Sequence, residues 1–280
     1  MNVTDIISNL NSVFEKMFKS IEGEVYEVLD NIMVIKSDIL SIEPIDKIIS
    51  SSGFILIANS IILFLVVYYT FTVLISMYNG NKAENVYHLI IKLILVGILV
   101  NNSYFLIEQI LNLNESLTLG VESLCEDLAG KKVCFNSMKE SILSIKDFMK
   151  TDFLSLDGLI KGVLSFGTVT ILINFCVRYV TIVFLIIISP IAFCLLASDL
   201  TSNIFLTWIK MLVVNLFSQA VLKIILVVPL MYKDTGSIMY KIILVGTIYI
   251  IYKFNGFVKE FFSKFSKDKI NKNIFNWRGE

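Results

Sequence analysis

Charge embedded in apolar sequence is where this chain could do chemistry, and Arg178 is the sharpest case. Sixteen uncharged residues precede it and twenty follow it. A guanidinium in hydrocarbon costs about 3 kcal/mol on insertion scales, so it needs a carboxylate, a headgroup layer or water. Glu108, the acid set deepest into another apolar run, is the candidate partner. If the helix protrudes from the membrane, Arg178 marks the headgroup level instead. A second polar stripe comprises Asn215, Ser218 and Gln219, with Lys223 at its edge. Such a stripe either makes interhelical hydrogen bonds, worth about 0.6–2 kcal/mol each, or lines a water-filled path. Asn101, Glu108 and Asn112 also share one helical face, which either packs on protein or emerges into water.

Other chemistry finds little support. The single histidine, His88, lies beside Asn85 and Tyr87 at the mouth of an apolar run and reads as interfacial, not as a base. No Gly-rich loop ends in Lys-Ser or Lys-Thr, and Gly158, Gly162 and Gly167 suit close helix packing better than phosphate binding. Four cysteines show no Cys-x-x-Cys spacing, so neither a metal nor a cofactor is expected. Cys125 and Cys134 lie outside the apolar runs; a disulfide between them is plausible if their loop is outside the cell, and both are thiols if it is inside. The chain reads as a non-enzyme.

The elements that must position these residues follow from composition. The 280-residue chain is 56% hydrophobic and 17% charged, against about 45–50% and about 25% in soluble domains. This predicts an all-α integral membrane protein. From Thr4 to Leu40 apolar residues recur at helical spacing, giving an amphipathic N-terminal helix. Residues 1–52 hold nine acids against four lysines, the wrong balance for lying on anionic lipid, so this helix either docks on a partner or folds back on its own spans. Residues 1–20 show no continuous apolar h-region.

Five spans are expected over 53–258, at 54–78, 86–111, 159–190, 204–232 and 238–258. The third is unusually long. It has no turn signal near Arg178, and Pro190 should kink or break it. Residues 112–157 form the largest loop. Lysines from Lys253 through Lys272 crowd the carboxyl end, so the tail at 259–280 is cytoplasmic by the positive-inside rule. Counting back over five spans places the amino terminus and the cysteine loop outside. Splitting the long run at Arg178 would give six spans and an inside amino terminus.

Two stretches carry a resemblance. Arg178-Tyr179-Val180 leads through an apolar run to Ser189-Pro190-Ile191-Ala192-Phe193 and then Phe205-Leu206-Thr207-Trp208-Ile209-Lys210; the other stretch is Val100-Asn101-Asn102-Ser103-Tyr104-Phe105. Both resemble the TrbL family, the polytopic subunit of conjugative type IV secretion systems and counterpart of the sixth VirB protein. The resemblance implies five spans with the amino terminus outside. It also implies an oligomeric assembly with other secretion membrane subunits and cytoplasmic ATPases, around a path for single-stranded DNA, relaxase or another protein substrate. Arg178, Pro190 and Trp208 would then carry helix geometry, and Asn215 and Gln219 would face the path or a partner. The extended hydrophilic carboxyl-terminal domain of some relatives is not seen in this sequence. The competing reading is a stand-alone small-molecule transporter, which would call for internal repeats and paired broken helices; no repeat relates the two halves.

Overall fold

The computed structural model describes residues 9, 11–13, 16, 24–79, 86–143, 156–198, 201–232, 234 and 237–269. Among these the chain is all-helical, with no strand. Ten α-helices follow in order: α1 Tyr26–Met33, α2 Glu43–Ser50, α3 Gly53–Tyr78, α4 Val86–Asn101, α5 Ser103–Ala129, α6 Phe135–Leu143, α7 Leu156–Ile187, α8 Ser189–Cys194, α9 Ser202–Leu230 and α10 Ile238–Lys269. Among the described residues three stretches are long and apolar enough to cross a membrane, 43–78, 158–187 and 202–230; the expected last span, 238–258, is helical within α10 but is not among them. The bent pair α4–α5 raises this to four if it counts as one span.

The chain divides into two compact units. The first comprises Met1–Ile35, Ser116–Tyr179 and Phe217–Glu280; the second comprises Lys36–Glu115 and Val180–Leu216. In the first, α1 buries Tyr26, Leu29 and Met33 and packs against α6. Those three positions, three and four apart, form the buried stripe; Val28 and Ile32, which carry the apolar spacing in the sequence, lie off it, Val28 being exposed. Where it is described, the N-terminal helix folds back on the chain's own helices. It also stops earlier than expected, because Val34 is already extended and a 3-10 turn takes Ser37–Ser41. Leaving the helix there buries Ile35 and Ile39, which a continued helix would turn to the side opposite Tyr26, Leu29 and Met33. Most residues before Glu24, and the tail beyond Lys269, lie outside the described residues.

In the second unit α3, α4 and α8 pack on one another. α3 carries no charge, and only 6% of its apolar window is buried within the chain. Its outer surface is therefore left to lipid or to another protein. α4 and α5 meet at Asn102 with a bend of 65°, so the stretch expected as a straight second span, 86–111, is broken there. Much of the expected loop at 112–157 is helical. Acids and asparagines disguise the 112–129 stretch, yet Ile107, Leu111, Asn114, Thr118 and Cys125 are buried along one face of α5 at multiples of three and four.

α7 is one uninterrupted helix of 32 residues through Arg178, about 48 Å long at ~1.5 Å per residue. That exceeds a hydrocarbon core of about 30 Å. It breaks at Ile188, and Pro190 sits in the first turn of α8, where its missing N–H leaves no hydrogen bond unmade.

Candidate functional site

The buried face of α7 alternates spacings of four and three: Leu164, Thr168, Ile171, Phe175, Arg178, Ile182 and Leu185. This is a heptad-type seam, the geometry of close-packed helix pairs. Val163, Phe166, Ile173, Val177, Val180 and Phe184 occupy the exposed face. Arg178 thus belongs to the seam, and it is 2% exposed.

Around Arg178 the first unit forms a chain of polar and aromatic contacts. Arg178 Nη2 donates to the Met33 carbonyl at 2.5 Å, and the guanidinium lies 5.3 Å from the Phe175 ring centroid. A charge-assisted hydrogen bond contributes about 1.5–3 kcal/mol and a desolvated cation–π contact up to about 2. They offset part of the roughly 3 kcal/mol insertion cost of an arginine, while Nε and Nη1 are buried without a hydrogen-bond partner among the described residues. Among the described residues no carboxylate makes an ion pair with Arg178. Glu108, its expected partner, is exposed on α5.

Phe175 meets Phe135 edge-on, with centroids 5.8 Å apart. Phe135 opens α6, whose first N–H groups are capped from α1: Asp30 accepts from Phe135 N at 2.6 Å and from Asn136 N at 3.0 Å. A carboxylate at a helix N-terminus satisfies donors that have no partner within the helix. Burial pushes the Asp30 carboxyl above its usual value, against the lowering pull of the two N–H groups and of Lys223 and Lys132. Just before α6, the Val133 carbonyl accepts from Lys223 Nζ at 3.0 Å, and Lys223 closes an ion pair with Glu122 at 2.8 Å. Lys223 of α9, Glu122 of α5 and the turn before α6 are thereby fastened together.

The second unit secures its helix break in a similar way. Trp208 Nε1 donates to the Leu185 carbonyl at 3.1 Å, Tyr104 Oη to Ile187 at 3.2 Å and Tyr69 Oη to Ala197 at 3.4 Å. Thr201 Oγ1 donates to Leu195 at 2.6 Å. Carbonyls that a continuous helix would have satisfied internally are stitched by side chains. Trp208 also packs against Phe193 and Phe205, with both ring centroids 5.6 Å from its own.

The expected site residues therefore separate. Arg178 belongs to the fastening in the first unit, while Pro190 and Trp208 belong to the break in the second. Asn215 and Gln219 are buried, Gln219 completely, and Asn215 Nδ2 donates to Met211 one turn back. They fill a packed helix face among the described residues. Of the Asn101, Glu108 and Asn112 stripe, Asn101 packs on protein, exchanging side-chain hydrogen bonds with Asn59 of α3 at 3.2 and 3.3 Å, whereas Glu108 is exposed and Asn112 is half-buried. The bridge allowed between Cys125 and Cys134 is not formed: both are free thiols, Cys125 is buried and Cys134 contacts Ser137 Oγ at 3.1 Å. The side chain of His88 lies outside the described residues.

Sequence reasoning missed Asp30, Glu122 and Phe175. The heptad seam on α7 was a readable signal for Phe175. Glu122 was hidden in a stretch taken for loop, and the capping role of Asp30 depends on a contact 105 residues away. Among the described residues no group of three or more His, Cys, Asp or Glu could hold a metal ion. No family model, curated protein or solved structure matches this chain.

Proposed function

We propose that this chain is a non-enzymatic, multi-pass subunit of a conjugative type IV secretion apparatus, helping to form the substrate path across the bacterial cytoplasmic membrane. The resemblance to the TrbL family supports this reading, as do the three to four helices long and apolar enough to span. One observation carries it furthest. Two of the cations set into the apolar helices are spent on fastening the chain to itself, Arg178 on Met33 and Phe175, and Lys223 on Glu122 and Val133. That is the construction of a scaffold rather than of a substrate cavity. The amino terminus lies outside and the tail inside. Partners are other secretion membrane subunits and cytoplasmic ATPases, with transient contact to single-stranded DNA or relaxase.

A stand-alone transporter is the second reading, favoured by the discontinuities at Asn102 and Ile188, since broken helices build transport sites. Against it, the Leu185 and Ile187 carbonyls are already occupied by Trp208 and Tyr104. Membrane crosslinking in the native host, followed by purification of the tagged protein, tests the proposal. Recovery with a secretion ATPase and other membrane subunits is expected. Recovery alone, with stabilisation by a small solute, contradicts it.

A further inference from the structure

An open apolar groove of about 810 Å³ runs between α7 and α10 in the first unit. Glycines Gly162, Gly167 and Gly246 line its floor, and Phe166, Tyr249 and Tyr252 its rim. Gly167 is where the two helices cross, because a Cβ there would run into the Ile248 side chain. A Cβ on Gly246 would meet nothing within 4 Å, so the space above it is empty of protein. Small residues thus bring the helices together at one point and leave a trough beside it.

The groove has a charged mouth. Tyr252 lines it, and the exposed Lys253 holds its ammonium 5.9 Å from the Tyr252 ring centroid. Beyond Lys253, α10 continues as helix to Lys269 and adds Lys259, Lys264, Lys267 and Lys269 against Glu260 and Asp268. An apolar trough ending at a cation, followed by a basic helical extension, matches a molecule with a long hydrocarbon tail and an anionic head. Basic clusters beside a span recruit acidic lipid in this way.

We propose that the α7–α10 groove is a binding site for an anionic phospholipid, one acyl chain lying over Gly246 and the phosphate against Lys253. The site rests on the reading of α10 as the last span, with its basic end at the cytoplasmic face. An anionic head against the exposed Lys253 and an acyl chain in the apolar trough complement both features at once, which is why lipid is the occupant.

The test is native mass spectrometry of the full-length protein, extracted from membranes in mild non-ionic detergent. The wild type is expected to retain phosphatidylglycerol or cardiolipin in preference to phosphatidylethanolamine. Gly246→Leu, whose Cβ meets nothing within 4 Å and whose side chain extends into the trough, should lose most of the bound lipid, while Gly246→Ala should keep it. Lys253→Gln alters an exposed residue and should reduce the preference for anionic lipid about fivefold, the equivalent of ~1 kcal/mol for one lysine near a charged surface. Lipid retained equally by Gly246→Leu and wild type overturns the site, as does an unchanged headgroup preference in Lys253→Gln or a second copy of the chain in place of lipid. Alkaline carbonate extraction of the same membranes separates the two claims. Release of the protein refutes the membrane reading; retention without lipid selectivity refutes the groove alone.

Discussion

Lys223 shows how a charge is tolerated in this fold. Its side chain is 4% exposed and that of Glu122 17%, so the pair is desolvated on both sides. Removing one member of such a pair strands the other, at a cost of about 3–5 kcal/mol, whereas replacing both with apolar residues of similar size is often neutral. Lys223→Met is therefore expected to destabilise the protein by about that amount in detergent unfolding, and Glu122→Leu/Lys223→Met to recover most of the loss. Asp30 makes the opposite demand. Its folded carboxyl holds a proton more tightly than the unfolded one, because burial outweighs its capping bonds and nearby lysines. A raised carboxyl pKa gives stability that is full below the unfolded value and is lost as pH rises through the folded value. Melting temperature should accordingly rise as pH falls from neutral towards 4, and Asp30→Asn, which keeps an acceptor for α6, should flatten that limb. A melting temperature that falls over this range contradicts the account.

Helices decide what the sequence could and could not reveal. α3, α7 and α9 were legible because unbroken apolar runs have few other ways to satisfy their backbone in a membrane. The break after α7 was legible because Pro190 cannot continue a helix. The bend at Asn102 was not, since no proline or glycine marks it, and what holds that region is distant: Tyr104 reaches Ile187, 83 residues away. The end of α1 at Met33 was equally hidden, because its last carbonyl is claimed by Arg178, 145 residues away. At this scale the crossing of α7 and α10 gives a direct prediction. The β-branched Ile248 is stiff within its helix and cannot swing aside. Gly167→Ala should therefore destabilise the protein by about 1–3 kcal/mol through overpacking. In the Gly167→Ala/Ile248→Ala double variant the total cost should be smaller than the sum of the single costs, because the added methyl then enters space that Ile248 vacates.

Taken whole, the molecule has long apolar helices and a strongly uneven distribution of charge. Residues 1–52 are acidic, and the carboxyl end is basic. An odd number of crossings separates these ends across the membrane, as the secretion-subunit reading requires. The turn between α5 and α6 then lies outside, together with the capping of α6 by Asp30. Lys132 is exposed on that turn, whereas the nearby Cys125 is buried and Cys134 is only half-exposed. Lys132 is thus the better reporter of sidedness. The most direct measurement is labelling of Lys132→Cys, with the four native cysteines replaced, by a membrane-impermeant thiol reagent in intact cells. A cysteine appended after Glu280 serves as the inside control. Labelling at position 132 without opening the cells, and at the appended cysteine only after opening them, is the predicted result. A position 132 cysteine that stays silent until the cells are opened would contradict the five-span topology on which the proposed function rests.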